Sequence, residues 1–114
     1  MVLDWIIPET IRILKMMNKH FTIEEIKEKT AVIARQYGIG KAYLFGSYAR
    51  GEAGSGSDID ICIEKGKIHT LFELSGFCMD LEEILENKVD VVTTKGLSGD
   101  FREQIEKDMI LIYE

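Results

Sequence analysis

The chain has 114 residues, a length that fits one domain with a core of moderate size. Its hydrophobic fraction of 46% and charged fraction of 30% exclude a wholly disordered chain. The net charge of −6, from 14 basic and 20 acidic residues, argues against nucleic-acid binding by the isolated chain, because such binding depends mainly on neutralising phosphates. A single nucleotide needs only one local cationic group and is not excluded.

The first apolar run of the chain is interrupted by Asp4 and Pro8, so no signal peptide is expected. No apolar run approaches the roughly 20 residues that span a membrane. Cys62 and Cys78 lack metal-ligand spacing and are expected to be free, structural thiols. These features predict a cytoplasmic protein.

Two helices and a strand are predicted before residue 46. Apolar residues spaced by three or four predict a helix over residues 8–20. A second helix is expected to start near Thr22, which forms a capping box with Glu25, and to end at Gly38, where a left-handed cap is favoured. Residues 41–45 then predict a short apolar strand.

The central segment predicts a phosphate-binding loop followed by a strand. Residues 46–57 are rich in glycine and serine and predict a turn, a single helical turn and a loop. Residues 58–64 alternate strictly, which is typical of a half-buried strand. Three isoleucines would occupy one face, namely Ile59, Ile61 and Ile63, and Asp58, Asp60, Cys62 and Glu64 would occupy the other.

The remaining residues predict a helix over 69–86, a strand over 88–94, a helix over 97–107 and a final strand over 109–113. The helix over 69–86 is expected to bury a stripe formed by Leu71, Leu74, Cys78, Leu81 and Leu85. The order of elements predicts a small mixed α/β (α+β) sheet with helices packed on one face.

Asp58 and Asp60 are the strongest candidates for chemistry. Residues two apart on a strand point to the same face, so both carboxylates can converge on one metal region. Two like charges this close repel each other unless a cation lies between them. The Gly46-Ser47 turn upstream can supply backbone N–H donors to phosphates, so the segment predicts a site for a nucleoside triphosphate and its magnesium.

Asp90 is the candidate for a third carboxylate. It is a lone acid inside the β-branched run Val89-Asp90-Val91-Val92, where its propensity is unfavourable. Such local conflicts are expected at functional sites, although a solvent-facing strand residue is an equally simple interpretation of Asp90 by itself.

Together, these residues resemble a known family. The strings LFGSYARG at residues 44–51 and SDID at residues 57–60, followed by the single Asp90 on a later strand, are similar to the nucleotidyltransferase superfamily that includes DNA polymerase beta. The fuller pattern resembles its minimal nucleotidyltransferase (MNT) branch and runs from about Thr22 to the C-terminus. We therefore expect a polymerase beta-like nucleotidyltransferase domain over residues 21–114, and an N-terminal helical extension over residues 1–20.

The resemblance implies a nucleotide-binding set. Gly46 and Ser47 would contact the β- and γ-phosphates, and Gly46 would allow close backbone approach. Arg50 would face the phosphates as a charged donor, unless it is an ordinary surface arginine. Ser57 would orient the loop before Asp58 or is an ordinary turn serine.

The resemblance also implies a catalytic set. Asp58 and Asp60 would ligate Mg²⁺, and Asp90 would act as the general base or as a ligand of the second metal. The implied reaction is attack by a hydroxyl on the α-phosphorus of a nucleotide, with two metals stabilising the attacking and leaving oxygens.

MNT proteins often pair with HEPN-domain toxins, so the resemblance implies transfer of AMP from ATP to a tyrosine of such a partner by an antitoxin. The alternatives are an antitoxin that only docks, or a transferase acting on a small-molecule hydroxyl such as that of an antibiotic. No added helical substrate domain, usual in the antibiotic-modifying enzymes, is predicted here. The apolar run at residues 2–7 is a candidate contact surface in a homo- or hetero-oligomer, or packs on the domain's own core.

Overall fold

The computed structural model describes residues 21–54, 56–97 and 99–114. The helix expected over residues 8–20, the apolar run at residues 2–7 and the proposed N-terminal extension lie outside the described residues, so these expectations remain predictions.

Helix α1 spans Ile23–Tyr37 and is fixed by a cap at each end. The Thr22 hydroxyl accepts a hydrogen bond from the Glu25 backbone N–H at 3.1 Å, and Glu25 Oε1 accepts one from the Thr22 backbone N–H at 3.1 Å. At the other end Gly38 adopts a left-handed φ of 67° and its N–H bonds back to the last turn. The predicted capping box and the predicted end of the helix are both confirmed.

Four strands and three further helices follow α1. In chain order they are β1 (Lys41–Phe45), α2 (Gly46–Ala49), β2 (Ile59–Glu64), α3 (Leu71–Leu85), β3 (Val89–Thr93), a 3₁₀ turn (Thr94–Gly96), α4 (Gly99–Asp108) and β4 (Ile110–Tyr113). The strands form one sheet in the order β3-β2-β1-β4. Strand β1 runs antiparallel to β2 and β4, whereas β2 and β3 are parallel. The predicted mixed α/β sheet is therefore confirmed.

The main core lies on one face of the sheet, where α1 and α3 also contact each other. The three isoleucines of β2 are fully buried, as their alternation predicts. On the opposite face Cys62 is also buried, and α4 contacts β1 and α2. Cys62 and Cys78 are both free thiols, as expected.

The predicted stripe of α3 is partly wrong. Leu81 and Leu85 are fully buried, but Leu71 is 82% exposed, and the third fully buried side chain is Phe77. Leu71 stands at the edge of the stripe in the first helical turn, directly after the cap residue Thr70. Phe77 belongs to the core, and its ring packs against the Tyr37 ring of α1 in a T-shaped arrangement with the centroids 5.4 Å apart.

None of the helices in the described part of the chain is long and apolar enough to cross a membrane.

Candidate active site

The turn at Gly46 brings backbone against a carboxylate. Gly46 directly follows β1 and opens α2 with a φ of 73°, a conformation that L side chains rarely adopt. A Cβ atom on Gly46 would overlap the Asp60 carboxylate. Glycine is therefore required here both for the backbone angle and for the space that Asp60 occupies.

The acidic residues meet because β2 and β3 are parallel and in register. Asp60 of β2 pairs with Asp90 of β3, and Asp58 lies two residues before Asp60. Residues paired across neighbouring strands project on the same face of a sheet. The structure thus brings together Asp58 and Asp60, which the sequence singled out, and Asp90, which it placed on a separate strand.

The electrostatics of this group are those of crowded negative charges. Burial raises the pKa of the Asp60 carboxyl above its usual range, and the negative charges of Asp90 and Asp58 raise it further. The Arg50 guanidinium acts in the opposite direction and lowers the pKa of Asp60. An ionised Asp60 is therefore disfavoured by its surroundings, and a bound cation would relieve that cost.

These residues fit magnesium as an open site. Within the described ranges, no three His, Cys, Asp or Glu side chains form a ready-made metal cluster. Mg²⁺ does not require one, because it is usually held by one or two carboxylates, water and substrate phosphate. Asp60 is half-buried and its ionised form is disfavoured by its acidic neighbours, so its carboxylate suits such a site.

Arg50 follows α2 and already has two acidic partners. Its Nε donates to Glu52 Oε2 at 3.0 Å, and its Nη1 donates to Asp108 Oδ2 at the end of α4, also at 3.0 Å. These hydrogen bonds, led by that to Glu52, raise the pKa of the Arg50 guanidinium. The Arg50 side chain is partly exposed, so both ion pairs are accessible to solvent.

Ser57 organises the loop before Asp58. Its hydroxyl accepts a hydrogen bond from the Gly54 N–H at 2.9 Å, and its own N–H donates to the Gly54 carbonyl at 3.1 Å. The Ser57 carbonyl accepts a third bond, from Asn87 Nδ2 at 3.0 Å. All of these bonds are structural, and a role for Ser57 towards nucleotide stays a prediction.

A family model, described as Polymerase beta, Nucleotidyltransferase, matches residues 13–114. The chain belongs to this nucleotidyltransferase family. The resemblance that rested on the Gly-Ser turn and the Asp-x-Asp pattern is thereby confirmed.

Protein adenylyltransferases are among the relatives of this nucleotidyltransferase. A candidate protein adenylyltransferase of Methanocaldococcus jannaschii is 40% identical over 83 residues, which cover 73% of this chain and 89% of that protein. The protein adenylyltransferase MntA of Thermococcus cleftensis is 27% identical over 95 residues, covering 80% of this chain and 96% of its own. The nucleotidyltransferase described here is thus a homologue of protein adenylyltransferases.

Solved structures agree with the family. A candidate minimal nucleotidyltransferase has a TM-score of 0.69 at 30% identity, covering 81% of this chain and 97% of that one. The same fold occurs in a toxin–antitoxin crystal structure with AMP-PNP, at a TM-score of 0.67 and 24% identity over 76% of this chain and 72% of that one. It also occurs in a complex of tri-AMPylated Shewanella oneidensis HEPN toxin with MNT antitoxin. The TM-score is 0.63 at 20% identity, covering 81% of this chain and 72% of that one.

The sequence reasoning missed one polar side chain of this nucleotidyltransferase. Asn87 lies between α3 and β3, is only 8% exposed, and hydrogen-bonds to both Tyr48 and Ser57. Its partners are 39 and 30 residues away in the chain, so no local motif could indicate them. The one available signal was an amide residue placed two residues before the strand that carries Asp90.

Proposed function

We propose that this protein is a magnesium-dependent adenylyltransferase that moves AMP from ATP to a hydroxyl of a partner protein, most simply a tyrosine of a HEPN-domain toxin. In that role it acts as the antitoxin of a two-protein module. The observation that carries the proposal is the in-register pair Asp60 and Asp90, joined by Asp58, beside a glycine turn that lies against Asp60.

In this proposal the Gly46-Ser47 turn holds the β- and γ-phosphates of ATP. The backbone at the start of α2 has N–H groups free of the helix's own ladder, and such groups bind phosphate oxygens well. Arg50 releases Glu52 or Asp108 and turns a charge-assisted hydrogen bond towards the phosphates. Ser57 keeps the loop before Asp58 in place.

The carboxylates do the remaining work. Asp58 and Asp60 hold Mg²⁺, and Asp90 either accepts the proton of the attacking hydroxyl or completes the metal site. Bound magnesium supplies charge neutralisation at the attacking and leaving oxygens. Since such catalysis is mostly positioning and electrostatic stabilisation, one small domain is sufficient for the donor half of the reaction.

The acceptor is proposed from the relatives. The M. jannaschii relative is named as a candidate protein adenylyltransferase, and a complex of the same fold contains an AMPylated HEPN toxin. The net charge of −6 agrees with docking onto a basic partner surface, because complementary charge speeds encounter between proteins.

The proposal is tested with ATP that is labelled either at the α- or at the γ-phosphorus. The protein is incubated with Mg²⁺ and its HEPN-domain partner, beside the double variant Asp58→Ala/Asp60→Ala. We expect label in the partner only from the α-position and only with the unaltered acids. Label from the γ-position would identify a kinase instead.

The same experiment separates the alternatives. A partner that is neutralised equally well by the double variant, without any label, would support docking without transfer. Label that moves to an added hydroxyl compound such as an aminoglycoside, and not to the partner, would support a small-molecule acceptor.

A further inference from the structure

Asn87 occupies a buried position at the junction of three segments of the site. It is the second residue before β3 and the third before Asp90. A buried amide is costly unless its donors and acceptor are satisfied, so its hydrogen bonds indicate what holds it there.

Both N–H groups and the carbonyl oxygen of the Asn87 amide are hydrogen-bonded. Nδ2 donates to the Tyr48 hydroxyl at 3.2 Å and to the Ser57 carbonyl at 3.0 Å. Oδ1 accepts from the Lys88 backbone N–H at 2.7 Å. The orientation of the amide is fixed by chemistry, because the Ser57 carbonyl can only accept and the Lys88 N–H can only donate.

The partners of Asn87 belong to the parts of the site that must be held at fixed separation. Tyr48 is in α2, two residues after Gly46, and Ser57 directly precedes Asp58 in the chain. The Lys88 carbonyl next to Asn87 accepts a hydrogen bond from the Ile59 N–H at 3.0 Å. One side chain therefore joins the proposed phosphate-binding turn at Gly46-Ser47, the loop that carries Asp58 and the start of the strand that carries Asp90.

We propose that Asn87 is a positioning residue, which sets the distance between the phosphate-binding turn and the three carboxylates. The proposal rests on the proposed function, because it assigns Asn87 a task within the same reaction. Both amide hydrogens of Asn87 are committed to protein partners, so its effect is transmitted through Tyr48 and Ser57 and not by contact with nucleotide. The consequence is that Asn87 controls how strongly the binding of nucleotide depends on the binding of Mg²⁺.

The test compares Asn87→Ala and Tyr48→Phe with Tyr37→Phe as the matched control. Tyr37 donates a 2.6 Å hydrogen bond to Asp80 between α1 and α3, so its loss removes one tertiary hydrogen bond outside the site. For each variant, AMP-PNP affinity is measured by calorimetry over a series of Mg²⁺ concentrations, and kcat and KM are measured for AMP transfer. The midpoint of thermal unfolding reports folding.

We expect Asn87→Ala to raise the Mg²⁺ concentration needed for half-maximal AMP-PNP binding by about 10–100-fold, the usual loss when a residue that orients metal ligands is removed. Because Asn87 bonds only to protein groups, the variant should lower kcat more than it raises KM. Tyr48→Phe, which removes one of the two donor contacts, should show the same effect to a smaller extent. Tyr37→Phe should lower the thermal midpoint and leave the Mg²⁺ dependence within twofold of the original.

Two results would overturn the inference. One is an Asn87→Ala variant that is destabilised like Tyr37→Phe but keeps its Mg²⁺ dependence and kcat. The other result matters if Asn87→Ala does not fold. In that case a Tyr48→Phe variant that folds and keeps its Mg²⁺ dependence would overturn the inference. If the original protein binds Mg²⁺ and AMP-PNP but transfers nothing, the adenylyltransferase proposal fails while the binding series still decides the role of Asn87. If it does not bind AMP-PNP at all, both fail.

Discussion

Gly46 combines an unusual backbone angle with close contact to a carboxylate of the site. Its positive φ and the Asp60 carboxylate beside it each disfavour any side chain. Gly51 offers a matched control, because it has a φ of 71° and a Cβ atom added there would meet no other atom within 4 Å. The pair separates the backbone effect from the effect of contact with Asp60.

We expect Gly51→Ala to lower the free energy of unfolding by about 1–2 kcal/mol, which is the usual cost of a left-handed L residue. Gly46→Ala should cost more and should also abolish AMP transfer, because Asp60 must move away. Chemical denaturation and the transfer assay provide the two measurements. Equal stability losses at the two glycines, with transfer intact in Gly46→Ala, would contradict the close packing of Gly46 and Asp60.

The residues of the site differ in how far they could be predicted. Asp58 and Asp60 follow from strand alternation, which is a local property, and the structure places Asp60 against the glycine turn and Asp58 close enough to Asp60 to raise its pKa. Asp90 was suggested by its conflict with a β-branched run, but its alignment with Asp60 depends on the register of two strands about 30 residues apart. Asn87 could not be predicted, because its environment exists only after the sheet has formed.

Among the secondary structure elements, α1 and α3 contact each other, and Tyr37 contributes a hydrogen bond and a ring contact between them. The Tyr37 hydroxyl donates to Asp80 Oδ2 at 2.6 Å, and a Cβ on Gly76 would come within 2.9 Å of that hydroxyl. Gly76 thus leaves room for the tyrosine to cross α3. The hydrogen bond to the Asp80 carboxylate, with partial burial and the negative charge of Asp80, raises the pKa of Tyr37 above 10.0.

This pKa shift predicts a loss of stability in alkali. The neutral phenol is favoured in the folded protein, so its contribution is fully present below the unfolded pKa of 10.0 and is lost as pH rises through the higher folded value. Tyr37→Phe should be less stable than the original by about 1.5–3 kcal/mol near pH 8, since it lacks a hydrogen bond to a charged group.

The measurement is the thermal midpoint of both proteins from pH 8 to pH 11. The difference between them should narrow above pH 10, because only the original protein has this phenol to ionise. A difference that stays constant across the whole range would show that the bond to Asp80 does not stabilise the fold.

Secondary structure was predictable from local chemistry, and helix orientation was not. The Thr22 and Glu25 capping box fixed the start of α1, and the isoleucine alternation fixed the buried face of β2. The stripe of α3 was misplaced at Leu71, because several apolar residues lie around this helix and its packing against α1 and the sheet decides which of them are buried. Phe77 is buried in the core and contacts Tyr37 of α1, a tertiary contact that periodicity alone does not indicate.

For the molecule as a whole, binding at the site should stabilise the entire sheet. The Gly46-Ser47 turn follows β1, and the three carboxylates belong to β2, its preceding loop and β3, so a ligand held by all of them would resist global unfolding. At a concentration 100 times its dissociation constant, Mg²⁺–AMP-PNP should add about 2.7 kcal/mol to the free energy of unfolding.

Asp60→Asn is the matched control for that prediction. It removes one negative charge from the group, so without ligand it should unfold at the same or a higher temperature than the original protein. It should lose most of the stabilisation by Mg²⁺–AMP-PNP. Equal stabilisation of the two proteins would place the bound nucleotide elsewhere.

The most direct test of the proposed function is the intact mass of the HEPN-domain partner after incubation with this protein, ATP and Mg²⁺. We predict that the partner gains the mass of AMP, that peptide mapping locates the addition on a tyrosine, and that the folded Asp58→Ala/Asp60→Ala variant produces no gain. A partner that is neutralised while its mass stays unchanged would contradict the account.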